Sequence, residues 1–243
     1  MVRFFLEKPF SDDEIVLDGE ERHHLVDVYR SQPGMKVQLF DREGNEYLAE
    51  VLAVTAKNAR LKVLEKSLSS KTKEHNIFLA QGLIKSQNWD VILEKCMELG
   101  LKGLFPMLTQ HLGNGKYVAG KEERWNKVMV SSAKQCGRSS LIKIEPIMTF
   151  SDVIEKTSSF PTRLLAHTGE GLPSFKKALD SLVPILFPVL IMIGPEGGFS
   201  QKEIQQAYDH KILIFSLGNL ILRAETAAIA VVANLNFYLQ DTL

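Results

Sequence analysis

Two glycine-bearing stretches in the last third of the chain have residue types and spacing suited to holding a small molecule. The first, Ile191–Glu203, reads IMIGPEGGFSQKE. An apolar run ends in Gly194-Pro195-Glu196-Gly197-Gly198, and Ser200 with Glu203 three residues later has the spacing of a helix capping box. Glycines at the carboxyl end of a strand let backbone N–H groups approach a ligand, and that edge of an α/β sheet is where ligands bind. A tight turn into a helix would use the same residues. The second stretch, Phe215–Ala227, reads FSLGNLILRAETA and repeats the design, with a short apolar loop leading into a helix expected over Glu225–Tyr238. Together the two corners could wall a pocket for a small amphipathic ligand. Neither carries the Gly-Lys-Ser/Thr ending of a P-loop or the GxGxxG spacing of a dinucleotide fingerprint, which disfavours a triphosphate or NAD.

Metal chemistry has little support. Of the six histidines only His23 and His24 are neighbours, and no ligand spacing follows them. Cys96 and Cys136 lie too far apart in sequence for a Cys-rich zinc site and too few for a disulfide scaffold. They read as reduced thiols of a cytoplasmic protein, with Cys136, beside Arg138, suited to a low-pKa thiol or a packed one. Trp89 and Trp125, at helical positions, are expected in a core or an interface.

The elements that must position these corners have two grammars. Up to about Leu68 the pattern is short and β-like: Phe4–Leu6, Met35–Phe40, Glu46–Val54 and Ala59–Leu64, with turn signals at 32–34 and 41–45 and one short helix at Glu20–Tyr29. That spacing predicts a small barrel over residues 1–70. The polar stretch Ser67–Glu74 reads as a linker. Beyond it, over residues 71–243, strands at Ile77–Gly82, Gly103–Leu108, Leu164–His167, Val189–Gly194 and Lys211–Leu217 alternate with helices at Trp89–Leu99 and Glu122–Gln135. Such alternation predicts an α/β domain with a mostly parallel sheet, and Gly100 is placed to end the first of these helices.

Charge is uneven beneath a net zero, with 29 Lys+Arg against 29 Asp+Glu. Residues 110–143 hold seven basic and two acidic side chains, while the first 71 and the last 100 residues are each slightly acidic. A chain that coats nucleic acid by bulk charge is excluded; a local basic patch is not. The longest apolar run, Val183–Ile193, contains Pro184 and Pro188 and is too short to span a bilayer, so no membrane partner is expected.

Taken together, IGPEGGFS and LGNLILRAETA resemble the knotted SPOUT methyltransferases, and specifically the 16S ribosomal RNA uridine-N3 methyltransferase family. Arg3-Phe4-Phe5 and His24-x-x-x-Val28-x-Arg30 are similar to that family's PUA-like RNA-binding barrel; Lys85, Glu98-Leu99-Gly100 and Gln135-Cys136-Gly137-Arg138 are similar to its middle segments. The resemblance implies a trefoil-knotted, mostly parallel sheet, a homodimer, and S-adenosyl-L-methionine (AdoMet) held by Leu165, His167, Ile193, Gly194, Glu196, Gly198, Ser216, Leu217, Gly218, Leu222 and Thr226. It also implies ribosomal RNA or the small ribosomal subunit as partner, met by Arg3, Arg22, His24, Arg30, Lys134 and Arg138, with no metal. The chain departs from the family pattern at Asp27, Gln110, His111, Ser131 and Leu220, where charged residues are usual.

Methylation of uridine N3 requires loss of an imide proton and alignment of N3 with the methyl donor. The guanidinium of Arg138 is suited to the developing anion, or equally to anchoring a backbone phosphate. Glu196 could act as base, hold the ammonium group of AdoMet, or only shape its loop. Two other readings fit the same residues: a knotted enzyme with another RNA target, and a non-catalytic RNA-binding ribosome-assembly factor.

Overall fold

The computed structural model describes residues 2–7, 10, 13–68, 75–111 and 122–240. The chain divides into two compact units: Met1–Lys73 with Val130–Leu141, and Glu74–Met129 with Ile142–Leu243.

The first unit contains β1 (Arg3–Leu6), β2 (Glu14–Leu17), α1 (Gly19–His23) running into a π-helical turn at His24–Val28, then β3 (Lys36–Asp41), β4 (Asn45–Val54) and β5 (Ala59–Leu68). Its sheet order is β1-β3-β4-β5-β2, with β1 and β3 parallel and the other pairs antiparallel. Tyr47, Ala49 and Val51 of β4 alternate inward onto a core with Phe4, Leu25, Leu39 and Leu61. Register shifts at Leu48/Ala49 and Val51/Ala53 curl the strand, as bulges do. The turn expected at 41–45 is built on buried Asp41, which accepts from Glu43 N (2.9 Å), Asn45 N (3.0 Å), Asn45 Nδ2 (2.8 Å) and Tyr47 Oη (2.8 Å). The short strand β2 lacks a long alternating signal and escapes the sequence reading. Of the stretch read as a linker, Ser67 and Leu68 complete β5, and 69–74 lie outside the described residues.

The second unit follows the α/β expectation. In chain order it has β6 (Ile77–Gly82), α2 (Ser86–Glu98), β7 (Gly103–Leu108), the start of α3 (Glu122–Cys136), β8 (Lys143–Ile144), β9 (Met148–Thr149) and α4 (Phe150–Lys156). It continues with β10 (Thr162–Ala166), α5 (Phe175–Asp180), β11 (Val189–Ile193), α6 (Gln201–Asp209), β12 (Leu213–Phe215) and α7 (Ala224–Leu239). The sheet order is β12-β10-β11-β6-β7-β8, with β9 also on β7, and every pairing is parallel. All five residues of β11 are buried, which explains its unbroken apolar run. The last turns of α3, with the residues up to Leu141, belong to the first unit.

Helix ends follow their local chemistry. Gly100 (φ 78°) closes α2 with Gly100 N→Met97 O and Leu101 N→Cys96 O, a Schellman pair. Asn236 Nδ2 of α7 donates to Leu99 O at the same end (2.5 Å). Trp89 and Trp125 are buried and stacked, with centroids 5.3 Å apart. Cys96 is buried too, and burial pushes its thiol up to about 12. Cys136 departs from the reading as a packed thiol: it sits exposed at the end of α3. Among the described residues no helix is long and apolar enough to cross a membrane.

Candidate functional site

The neighbouring strands β12, β10 and β11 end side by side, and the loops leaving them enclose a cavity of about 420 Å³. Three segments line it: Ala166–Thr168 after β10, Ile193–Phe199 after β11, and Ser216–Gly218 with Leu220–Ala224 after β12, joined by Ala227 of α7. The two glycine corners singled out in the sequence therefore meet in one site, at the sheet edge where ligands bind.

Each corner is shaped by specific bonds. In the first, Gly198 N donates to Pro195 O (2.9 Å), closing a turn, and Gly198 takes φ 67°. Ser200 then caps α6: its hydroxyl accepts from Glu203 N (3.3 Å) while Ser200 N donates to Glu203 Oε2 (2.8 Å), the capping box read from the sequence. Gly82 at the end of β6 lies so close that an added Cβ would stand 2.5 Å from Pro195. Gln81 beside it is fully buried and donates through Nε2 to Gly82 O (3.0 Å) and Gly194 O (3.5 Å). In the second corner, Ser216 Oγ accepts from Gly218 N (3.2 Å), and Gly218 takes φ 124°, a conformation that favours glycine.

Of the residues expected to hold a cofactor, His167, Ile193, Gly194, Glu196, Gly198, Ser216, Leu217, Gly218 and Leu222 line the cavity. Leu165 is instead buried in the core behind it, and Thr226 faces outward on α7. Sequence reading passed over Thr168 and Ala227, which also line the cavity; only their neighbours in space mark them. Charge in the walls is sparse. Glu196 is exposed, Arg223 stands at the N-cap of α7 without a side-chain cap bond, and burial lowers the His167 imidazole below its usual value, so it is neutral near pH 7.

The residues expected to meet RNA belong to the first unit, and several are already engaged. Arg3 is nearly buried; it donates to Glu46 (3.0 Å), Ser139 Oγ (2.6 Å) and Arg138 O (3.3 Å) and lies over the Phe40 ring. Arg22 pairs with Asp27, which also meets His23, and Lys134 pairs with Glu21. Arg138 is buried, with Nε donating to Ser140 Oγ (3.1 Å). His24 is half-buried in the π-helical turn, and Arg30 (φ 52°) is exposed just past it. Among the described residues no cluster of three His, Cys, Asp or Glu forms a metal-binding group.

These features agree with comparisons to known proteins. A protein-family model described as an RNA methyltransferase domain matches residues 71–236, and one described as an RNA methyltransferase PUA domain matches residues 17–64. The chain belongs to this RNA methyltransferase family. It is 26% identical to the ribosomal RNA small subunit methyltransferase E of Bacillus subtilis, over 98% of this chain and 96% of that one. Among solved structures, the ribosomal RNA small subunit methyltransferase E from Neisseria gonorrhoeae, bound to S-adenosyl methionine, matches with a TM-score of 0.86 and 26% identity, covering 98% of each chain. A probable rRNA-methyltransferase from Porphyromonas gingivalis matches with a TM-score of 0.86 at 25% identity, again over 98% of each.

Proposed function

We propose that the chain is an AdoMet-dependent methyltransferase that modifies N3 of a uridine in small-subunit ribosomal RNA, working in the cytoplasm as a homodimer with a trefoil-knotted cofactor domain. The observation that carries this reading is the cavity at the joined corners 193–199 and 216–224. Its apolar walls (Ile193, Leu217, Leu222, Ala227) suit an adenosine, and its many main-chain groups suit hydrogen bonding to one. Relatives that match along almost the whole chain carry the ribosomal RNA methyltransferase name, and one is described as bound to S-adenosyl methionine.

AdoMet, when bound, supplies an electrophilic methyl group on a sulfonium. The chain's own part is binding, orientation and charge. Arg223 and Glu196 offer opposite charges to a zwitterionic amino-acid tail, and neutral His167 can accept or donate one hydrogen bond. Arg138 is the group suited to the anion that develops as uracil loses its imide proton. Arg30 and His24 form the accessible RNA contact of the barrel, with Arg22 and Lys134 joining once their carboxylate partners release them.

Exposed Leu220, Ile221 and Phe237 (81%, 86% and 74% accessible) support a second copy covering the mouth of the cavity and the outer face of α7. Isothermal titration with AdoMet tests the cofactor assignment. Saturable one-site binding is expected, and its absence at millimolar AdoMet would reject the enzyme reading.

A further inference from the structure

The peptide unit between Gly197 and Gly198 is flanked by two residues without side chains, so no Cβ of its flanking residues restricts its rotation. Its N–H is held inside the corner, where Gly198 N donates to Pro195 O (2.9 Å). Its carbonyl is held from outside, where His111 Nδ1 lies 3.0 Å from Gly197 O. A carbonyl only accepts, so Nδ1 must carry the hydrogen, and both ends of the peptide plane are fixed only while that bond exists.

The segment that delivers His111 is itself anchored. Gln110 N donates to Glu203 Oε1 (2.9 Å), and Glu203 is buried, with its other oxygen on Ser200 N. The approach is close: a Cβ on Gly197 would stand 2.8 Å from His111 O and 2.9 Å from His111 Cβ. A chain of contacts thus runs from the cap of α6 through the residues just after β7 to the glycine corner that lines the cavity.

We propose that His111 is a positioning residue, whose imidazole Nδ1–H pins the Gly197–Gly198 peptide and so sets the shape of the AdoMet corner. The inference rests on the AdoMet reading above, because the pinned peptide belongs to that cavity. The consequence is specific: removing the donor loosens the corner without removing any wall of the cavity. Asparagine, whose Nδ2 can stand where Nδ1 stands, should restore it.

The test compares wild type, His111→Ala and His111→Asn in two measurements. By titration with AdoMet, Ala is expected to raise the dissociation constant roughly three- to tenfold, the span of one net hydrogen bond, with Asn close to wild type. By hydrogen exchange without ligand, the amides of Gly194 and of 196–199 are expected to exchange faster in Ala and at the wild-type rate in Asn. Ala behaving as wild type in both measurements, or Asn failing wherever Ala fails, would overturn the proposal. A wild-type protein that does not bind AdoMet but shows the exchange pattern would reject the enzyme reading and leave the pin standing.

Discussion

Glu203 places one carboxylate oxygen on Ser200 N–H and the other on Gln110 N–H, so a single buried side chain satisfies two backbone donors from different segments. Glutamine offers only one acceptor oxygen there, and Glu203→Gln should lower stability by about 1–2 kcal/mol in urea unfolding while also weakening AdoMet binding. Half of this role is legible in the sequence, because the Ser200–Glu203 spacing announces a capping box. The Gln110 contact is not, since nothing in a local pattern says which distant loop will reach the second oxygen. Glu145 allows a prediction against pH. Lys143 and Lys156, each 2.6 Å away, hold its carboxyl below the usual range. A depressed folded value means that the stabilisation is fully present above the unfolded pKa of about 4.3 and is lost as pH falls through the lowered folded value. Melting temperatures of wild type and Glu145→Gln should therefore differ at pH 7 and converge as pH falls below the lowered folded value.

At the scale of elements, the expected strand Lys211–Leu217 shrinks to three residues because both of its ends are used otherwise. Lys211 (φ 56°) and Ile212 close α6, through Lys211 N→Tyr208 O and Ile212 N→Ala207 O, each 2.9 Å. Ser216 and Leu217 turn into the cavity loop. A lysine in the left-handed region carries a steric cost that glycine avoids, so Lys211→Gly should stabilise the protein by about 1 kcal/mol in thermal or denaturant unfolding. Gly82→Ala should act in the opposite sense. Its Cβ would meet Pro195 at 2.5 Å, against main chain that cannot rotate away, so the end of β6 and the glycine corner must separate. A lower melting temperature and a weaker AdoMet complex are expected together. The long strands and helices were legible because their apolar periodicity is strong. The short elements β2, β8, β9, α4 and α5 were not, because two to seven residues carry too little pattern to separate from loop.

At the scale of the whole molecule, the net charge of zero resolves into paired charges. Arg3, Arg22 and Lys134 are bound to Glu46, Asp27 and Glu21 within the first unit, whereas Arg30, among the residues expected to meet RNA, is exposed. Arg30→Ala should weaken RNA binding and reduce the slope of log affinity against log salt by about one. Arg3→Ala should instead lower the melting temperature, because Arg3 joins the 138–139 segment to β4. Composition could not show this division, since pairing depends on which strands become neighbours. It also could not show that Val130–Leu141 packs with the N-terminal unit, although the basic stretch containing it was visible. The central claim is tested most directly by incubating small-subunit ribosomal RNA or particles that lack the modification with the protein and AdoMet, then digesting the RNA for nucleoside mass spectrometry. One new N3-methyluridine per RNA is expected, dependent on AdoMet and abolished by Arg138→Ala. Methylation of another nucleoside, or none by a protein that binds AdoMet, would contradict the claim.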